Sequence, residues 1–305
     1  MAEAAIEAGC RPAGILTTSP SINISYAPNG VKLVTHFDFA AWGRERGVPV
    51  AVTQHGLDGA TDIIASWRPD VVLAAGWYYH IGARTRSLAR LACAGFHASL
   101  LPAYAGGAPV NWAIINGENE TGMTLFLLDK GVDTGHIVAQ GSTPIHLADT
   151  VATVQARLAE LAAAMLKEAL PRAGQWIATA RPQDLGRRTV MPQRRPEDGR
   201  IDWRAGALTV YNLIRGVTAP YPGAFTHHDS RRITVWSAEF FGTAPADRPG
   251  RIIEARGFFP TGLVVGTGED ETPLLLTSLS LDGGPPMPAW ELARKAGLRP
   301  GDILA

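Results

Sequence analysis

Cysteine is nearly missing from this sequence. Cys10 and Cys93 are its two cysteines among 305 residues, and they lie too far apart for the ligand spacing of a zinc site. We therefore expect two free thiols in a reducing compartment, with neither a disulfide framework nor a bound metal.

An excess of either charge is missing as well. Lysine plus arginine and aspartate plus glutamate both number 28. A protein that grips a phosphate backbone normally carries a basic excess, because its lysines and arginines neutralise the phosphates. The balance therefore disfavours a nucleic-acid partner.

Long apolar runs, charged leaders, internal repeats and low-complexity tracts are not found either. A membrane-spanning helix needs about eighteen or more consecutive apolar residues, so we expect no membrane partner and a cytoplasmic protein. The content of 46% hydrophobic and 18% charged residues is typical of a globular protein with a sizeable core.

The first half of the chain alternates strand-like and helix-like segments. Apolar stretches that predict strands lie at 13–19, 48–53, 70–76 and 122–128, with a further strand running into His97. Segments of helical character lie at 37–47, 59–69, 83–91, 108–117 and 150–170. This order predicts a doubly wound, Rossmann-like α/β domain.

The sequence opens on a helical segment, MAEAAIEAG, where a doubly wound domain normally opens on a strand. That first strand usually lies at the centre of the sheet. We therefore expect the first strand to be missing, leaving a gap beside the strand at 70–76. An apolar strand ending in glycine is expected to be encoded upstream.

The second half has a different pattern. Residues 186–200 are polar and proline-containing, which predicts a linker between a first domain at 1–185 and a second at 201–305. Short strand-like stretches separated by Gly, Pro and Asp follow at 231–240, 250–255, 262–268 and 273–280. They predict a small OB-like β-barrel.

His97 is the first candidate for chemistry. It follows an apolar strand and precedes the turn Ser-Leu-Leu-Pro. Ligands of open α/β sheets bind at the carboxyl ends of strands, and histidine suits acid–base work near neutral pH. A histidine here serves equally well as a structural hydrogen-bonding group, so its position alone leaves both roles open.

The stretch DKGVDTGHI carries two carboxylates, Asp129 and Asp133, around a glycine. A carboxylate beside an imidazole orients the ring and stabilises its protonated form. Asp-rich turns are also common on protein surfaces, so this motif indicates a functional site only when it is considered together with His97.

Taken together, residues 96–140, FHASLLPAYAGGAPVNWAIINGENETGMTLFLLDKGVDTGHIVAQ, resemble the folate-dependent formyltransferase family. That family includes methionyl-tRNA formyltransferases and enzymes that formylate amino sugars of nucleotide sugars. The shared features are His-x-Ser-Leu-Leu-Pro, Gly-Ala-Pro and Asp-x-Gly-x-Asp-Thr-Gly. Residues 200–226 are similar to the start of the family's C-terminal barrel domain.

The resemblance implies transfer of a formyl group from 10-formyltetrahydrofolate to a primary amine. It implies that His97 is the acid–base group and that Asp133 holds and charges it. It also implies that the folate is bound by three segments: Tyr79, His80 and Ile81; Ser99, Leu100, Leu101 and Pro102; and Asp129, Lys130, Gly131 and Val132.

Two positions depart from the family pattern. Gly95 stands where the family has an asparagine that donates to the developing oxyanion, and Ala105 stands where it has an arginine. Losing one oxyanion donor lowers the rate by roughly a hundred- to a thousandfold. Three alternatives stay open: a main-chain N–H or a water replaces the amide, His97 alone suffices, or formyl transfer has been lost.

The acceptor is the remaining question. The family's tRNA enzymes need a basic insertion after the second strand, and the matching stretch 19–33 has one basic residue, Lys32. Further basic groups in the linker are Arg187, Arg188, Arg194 and Arg195. We favour a small amine such as a nucleotide-linked amino sugar. A methionyl-tRNA formyltransferase and a non-catalytic folate-binding homologue are the alternatives.

Overall fold

The computed structural model describes residues 1–305 except 25–26, 34–35, 54–55, 58, 243–247 and 269–271, and gives only the backbone of 23–24, 27–29 and 31–32. It forms two compact units. The first consists of Met1–Pro109, Glu120–Pro144 and Ala156–Gln193, and the second of Val110–Asn119, Ile145–Gln155 and Arg194–Ala305. The domain boundaries at 185 and 201 stay a prediction.

Helices and strands are interspersed up to residue 193. In chain order they are α1 (Ala2–Glu7), β1 (Ile15–Thr18), β2 (Ser21–Ile24), β3 (Ala27–Lys32), α2 (Phe39–Arg46), β4 (Val50–Thr53), α3 (Thr61–Ser66), β5 (Val71–Ala75), α4 (Ala83–Arg86), β6 (Ala92–His97), β7 (Ala105–Gly106), α5 (Pro109–Ile115), β8 (Glu120–Leu127), β9 (Ile137–Pro144), α6 (Val151–Ala169), α7 (Trp176–Thr179) and β10 (Val190–Met191).

Helix α2 shows how local sequence sets such an element. The Asp38 side chain accepts a hydrogen bond from the Ala41 N–H and caps its first turn. Gly47 ends the helix in the left-handed conformation, at φ 63°, which glycine adopts without strain. The helix predicted at 37–47 is thereby confirmed.

The described strands of the first unit form one four-stranded sheet and three two-stranded sheets, β1-β4, β2-β3 and β7-β10. Strands β5, β6, β8 and β9 form the four-stranded sheet in that order. Strands β5 and β6 are parallel, whereas β8 runs antiparallel to β6, a direction that its apolar sequence did not indicate.

Strand β5, beside which a gap was predicted, lies at the edge of its sheet. Among the described strands, none pairs with the edge of β5 that faces away from β6. Strand β6 is buried at all but one residue, whereas every residue of β5 is at least partly exposed.

Strands β6 and β8 meet the helical layer in the core of the first unit. Ala94, Leu125 and Trp176 are buried there, and Met165 of α6 packs against them. This packing fixes the strand that ends at His97.

The second unit is built on an antiparallel sheet. It includes most of α5 and the start of α6. Its further elements are α8 (Ala207–Val217), β11 (Ala224–His228), β12 (Arg231–Phe240), β13 (Ile252–Arg256), β14 (Gly262–Val265), β15 (Leu274–Leu281), β16 (Met287–Pro288) and α9 (Ala289–Ala296). The strand order is β11-β12-β15-β14-β13, and β16 pairs with β15. Ile214 of α8 and Leu292 of α9 are buried in its core with Val235 and Leu276.

Within the described part of the chain, no helix combines the length and apolar character needed to cross a bilayer.

Candidate active site

His97 is the last residue of β6 and lies opposite Thr124 of β8. Its side chain is largely buried, since the residue is 9% exposed. Side chains alternate between the two faces of a strand, so His97 and Gly95 share one face. The packing of β6 therefore places the imidazole at the carboxyl end of the strand, as predicted.

Both ring nitrogens of His97 face oxygen acceptors. Nε2 lies 2.8 Å from the carbonyl oxygen of Tyr104, and Nδ1 lies 3.6 Å from Oδ2 of Asp133. Because a carbonyl can only accept, Nε2 must carry a proton to make this bond. A ring protonated on both nitrogens would satisfy both neighbours. The structure thus brings together the two residues to which the resemblance assigned catalysis.

Asp133 reaches His97 from a strained turn. Its backbone φ is 54°, in the left-handed region that few non-glycine residues occupy. The carboxylate also accepts a hydrogen bond of 2.8 Å from the N–H of Gly106. Asp133 therefore joins His97 to the loop that follows Pro102.

Gly106 is required where this loop passes close to another segment. Its φ is 92°, and a Cβ there would lie 2.5 Å from the carbonyl oxygen of Met191. Any side chain would force the two backbones apart. The loop that carries Tyr104 and Gly106 is therefore held closely against residues 190–191.

Polar side chains fasten the turn that contains the predicted folate residues Ser99, Leu100, Leu101 and Pro102. The Thr124 hydroxyl donates to the carbonyl of Ser99, and the Gln140 amide donates to that of Leu101, at 2.7 and 2.9 Å. Sequence reasoning missed Thr124 and Gln140. For Thr124 the sequence held one signal, because this residue is the single polar one in the apolar stretch MTLFLL of the predicted strand.

Asp129 stabilises its own loop. Its Oδ1 accepts from the Gly131 N–H at 2.9 Å and from the Thr134 hydroxyl at 2.8 Å. The loop residues Lys130, Gly131 and Val132 are exposed. Asp129 thus shapes the segment that was predicted to contact folate.

The third predicted folate segment, Tyr79, His80 and Ile81, follows β5. Since β5 and β6 are parallel, this segment leaves the sheet at the same edge as His97. The ring of Tyr79 packs edge-on against Trp77 at 5.8 Å between centroids. The buried indole N–H of Trp77 finds no hydrogen-bond partner among the described residues.

Apolar side chains lie nearest to the two positions that depart from the family pattern. A Cβ at Gly95 would lie 3.1 Å from Cδ2 of Leu128. Ala105 is fully buried in a small cluster with Leu101, Phe126 and Leu128. Neither Gly95 nor Ala105 has a polar side chain, so neither can donate a side-chain hydrogen bond to an oxyanion.

The four linker arginines differ in their surroundings. Arg188 donates to the carbonyl of Val132 at 2.9 Å. Arg194 stacks over the Trp112 ring at 4.9 Å, and burial lowers the pKa of its guanidinium. Arg187 and Arg195 are exposed. Two of the four are therefore engaged within their own unit.

Family models match most of the chain. The model of the formyl transferase family matches residues 48–170, and that of the formyl transferase C-terminal domain matches residues 194–297.

Solved structures with the same fold have low sequence identity. HypX from Aquifex aeolicus in complex with tetrahydrofolic acid is 17% identical at a TM-score of 0.64, covering 91% of this chain and 46% of its own. The sugar 3N-formyl transferase WlaRD, crystallised with dTDP and 5-N-formyl-THF, is 15% identical at 0.60, covering 89% and 93%. Methionyl-tRNA formyltransferase from Clostridium thermocellum is 18% identical at 0.52, covering 74% and 92%. The chain thus spans about half the length of HypX.

Proposed function

Because the chain belongs to the formyl transferase family, we propose that it transfers a formyl group from 10-formyltetrahydrofolate to a primary amine. The observation that carries this proposal is the geometry of His97, whose two ring nitrogens face the Tyr104 carbonyl and the Asp133 carboxylate. This arrangement supports an imidazole that gains and gives up a proton during the reaction.

The reaction needs a positive charge near the formyl oxygen and a group that carries a proton. The amine forms a bond to the formyl carbon, the bond from that carbon to the folate nitrogen breaks, and one proton passes from the amine to that nitrogen. Protonated His97 would stabilise the negative charge that develops on the formyl oxygen, give its proton to the folate nitrogen and take up the proton that the amine releases. Asp133 would stabilise the protonated ring.

Proton transfer also sets a geometric requirement. In this structure the Nε2 proton of His97 is donated to the Tyr104 carbonyl. The reacting groups must therefore come within hydrogen-bond distance of the ring and compete with that carbonyl. Until the reacting groups bind, Tyr104 and Asp133 would hold the imidazole in one orientation.

Folate would be held by the three segments around residues 79–81, 99–102 and 129–132. Residues 79–81 leave the sheet at the same edge as His97. Residues 99–102 follow His97 in the chain and residues 129–132 precede Asp133, so these two segments adjoin the proposed catalytic pair. The donor molecule is a substrate here, so the proposed roles of these residues are binding and orientation.

For the acceptor, we propose a small amine such as a nucleotide-linked amino sugar. The balanced charge of the chain supports it, as do the contacts that engage Arg188 and Arg194. Exposed Arg187 and Arg195 favour the tRNA alternative, since a phosphate backbone needs accessible cations. The loss of the asparagine at Gly95 favours the non-catalytic alternative.

One experiment separates the three functions. The purified chain is incubated with 10-formyltetrahydrofolate and, in parallel, a set of nucleotide-linked amino sugars, free amino acids and methionyl-tRNA, and each product is identified by its mass. Folate binding is measured separately by titration. A formylated sugar supports the proposal, and formylated methionyl-tRNA as the sole product refutes the small-amine acceptor. Folate binding without any product supports the non-catalytic alternative.

A further inference from the structure

Residues 181–193, which we call the strap, lie along two loops of the site. At its start, Arg181 and Ile137 exchange main-chain hydrogen bonds of 2.7 and 2.9 Å. Near its end, β10 pairs in parallel with β7. The strap overlaps the predicted linker, yet both of its ends are bound within the first unit.

The strap holds the main chain of the Asp133 turn. The Gln183 amide nitrogen donates to the carbonyls of Asp133 and Gly135 at 2.9 and 2.7 Å. Arg188 donates to the carbonyl of Val132 at 2.9 Å. Three carbonyls within four residues are therefore bound by strap side chains, around the residue whose φ is 54°. A left-handed non-glycine residue persists only where its surroundings hold it.

The strap also holds the loop that carries the second partner of His97. The Thr189 hydroxyl accepts from the N–H of Tyr104 at 2.8 Å, and the Thr189 carbonyl accepts from the N–H of Ala105 at 2.9 Å. The Met191 carbonyl accepts from the N–H of Gly107 at 3.0 Å. Tyr104 is thus fixed from its N–H while its carbonyl accepts from His97.

We propose that the strap is a positioning element and that Gln183 and Thr189 are positioning residues that act through the two partners of His97. Gln183 sets the turn that aims the Asp133 carboxylate, and Thr189 sets the Tyr104 carbonyl. The hydrogen bond from the Gly106 N–H to Asp133 links the two loops. The effect on catalysis rests on the proposed formyl transfer, whereas the effect on the loops does not.

The variants are chosen to remove single hydrogen bonds. Gln183→Leu keeps most of the side-chain volume and removes the amide donor. Thr189→Val keeps the shape and removes the hydroxyl, and Thr189→Ser restores it. Arg187→Ala changes an exposed strap residue and is the control. Thermal unfolding of every variant shows whether the fold is retained.

Amide hydrogen exchange tests the positioning without any acceptor. Gln183→Leu is expected to speed exchange of the Gly106 N–H by about tenfold or more, because its acceptor Asp133 loses its support. Thr189→Val is expected to do the same at the Tyr104 N–H, and Thr189→Ser and Arg187→Ala to leave both rates within about threefold of the parent. Unchanged exchange at both amides in the folded Leu and Val variants would overturn the proposal. If Gln183→Leu does not fold, Thr189→Val decides it.

Turnover then tests the consequence for catalysis. Displacing a catalytic group by about 1 Å lowers the rate by up to about a hundredfold. We expect Gln183→Leu and Thr189→Val to lower kcat by about ten- to a hundredfold with the KM for folate within about threefold, and Thr189→Ser to recover the parent kcat. A raised KM with unchanged kcat would refute the role in catalysis. A parent chain that forms no product, with the exchange pattern intact, would refute the proposed function and leave the strap assignment standing.

Discussion

Leu128 fills the space beside Gly95 into which a larger side chain would extend. Its Cδ2 lies 3.1 Å from the position of a Cβ at residue 95, and the Ala74 carbonyl oxygen lies at 3.6 Å. The closest atom is therefore the end of a flexible side chain and not backbone. A small shift of Leu128 would admit an amide on the face of β6 that carries His97.

The first prediction concerns that amide. We expect Gly95→Asn to raise kcat, by up to about the hundredfold that one oxyanion donor contributes, and to change folate affinity little. The measurement is turnover against a set of amines together with folate titration. Gly95→Ala is the matched control, because it tests the contact with Leu128 without adding a donor. If Gly95→Asn abolishes a robust parent activity, Gly95 makes room for the acceptor and the donor role predicted for the amide is wrong.

The second prediction concerns the pair of His97 and Asp133. We expect His97→Gln to lower kcat by about a hundred- to ten-thousandfold, the usual contribution of a positioned acid–base group. Asp133→Asn should lower it too, and the double variant should be little slower than His97→Gln, because the two residues act as a unit. Folate binding by titration should survive in each. Additive losses in the double variant would show that the two residues act independently.

The third prediction concerns Cys93, which lies on β6 and is buried. Burial raises the pKa of its thiol from 9.0 to about 11. Since the thiolate is the reactive form, we expect iodoacetamide at pH 8 to modify Cys10 in the folded protein and both cysteines after denaturation. Mass spectrometry of the peptides is the readout. Equal labelling of both thiols in the folded protein would contradict the burial of Cys93.

The same group gives a pH dependence of stability. The folded pKa lies above the ordinary value, so the stability that the neutral thiol confers is present below pH 9 and is lost as the pH rises toward about 11. Cys93→Ala should show a weaker decline of the unfolding midpoint over this window than the parent chain. Matching declines in both would show that other groups cause it.

Apolar patterns and motifs predict some strands and site residues of this structure, whereas strand direction and contacts to main chain cannot be predicted from them. Strand β12 was predicted with its observed bounds, since its apolar stretch is bounded by turn residues on both sides. The pair of His97 and Asp133 follows from motif residues. The direction of β8 was not predictable, because an apolar run is compatible with either orientation. Gln183 and Thr189 were missed because each bonds to main chain, and a bond to main chain leaves no matching residue type in the sequence.

The last prediction concerns Arg215 of α8, which is buried in the second unit with 6% of its surface exposed. Its guanidinium donates to the carbonyls of His146 and Asp149 at 3.0 Å each and to the Asn212 side chain at 2.8 Å. Burial lowers its pKa, and the neighbouring Tyr211 and Asp149 oppose that change.

A lysine cannot reproduce this arrangement, because its single ammonium lacks the planar fork of donors that reaches three acceptors. We expect Arg215→Lys to lower the free energy of unfolding by about 2–4 kcal/mol, as buried acceptors lose their partners. Arg294→Lys, at an exposed position of α9, is the control and should change it by less than about 0.5 kcal/mol. Urea unfolding followed by tryptophan fluorescence measures both. Equal midpoints for the two variants would mean that the hydrogen bonds of Arg215 contribute nothing to the stability of the second unit.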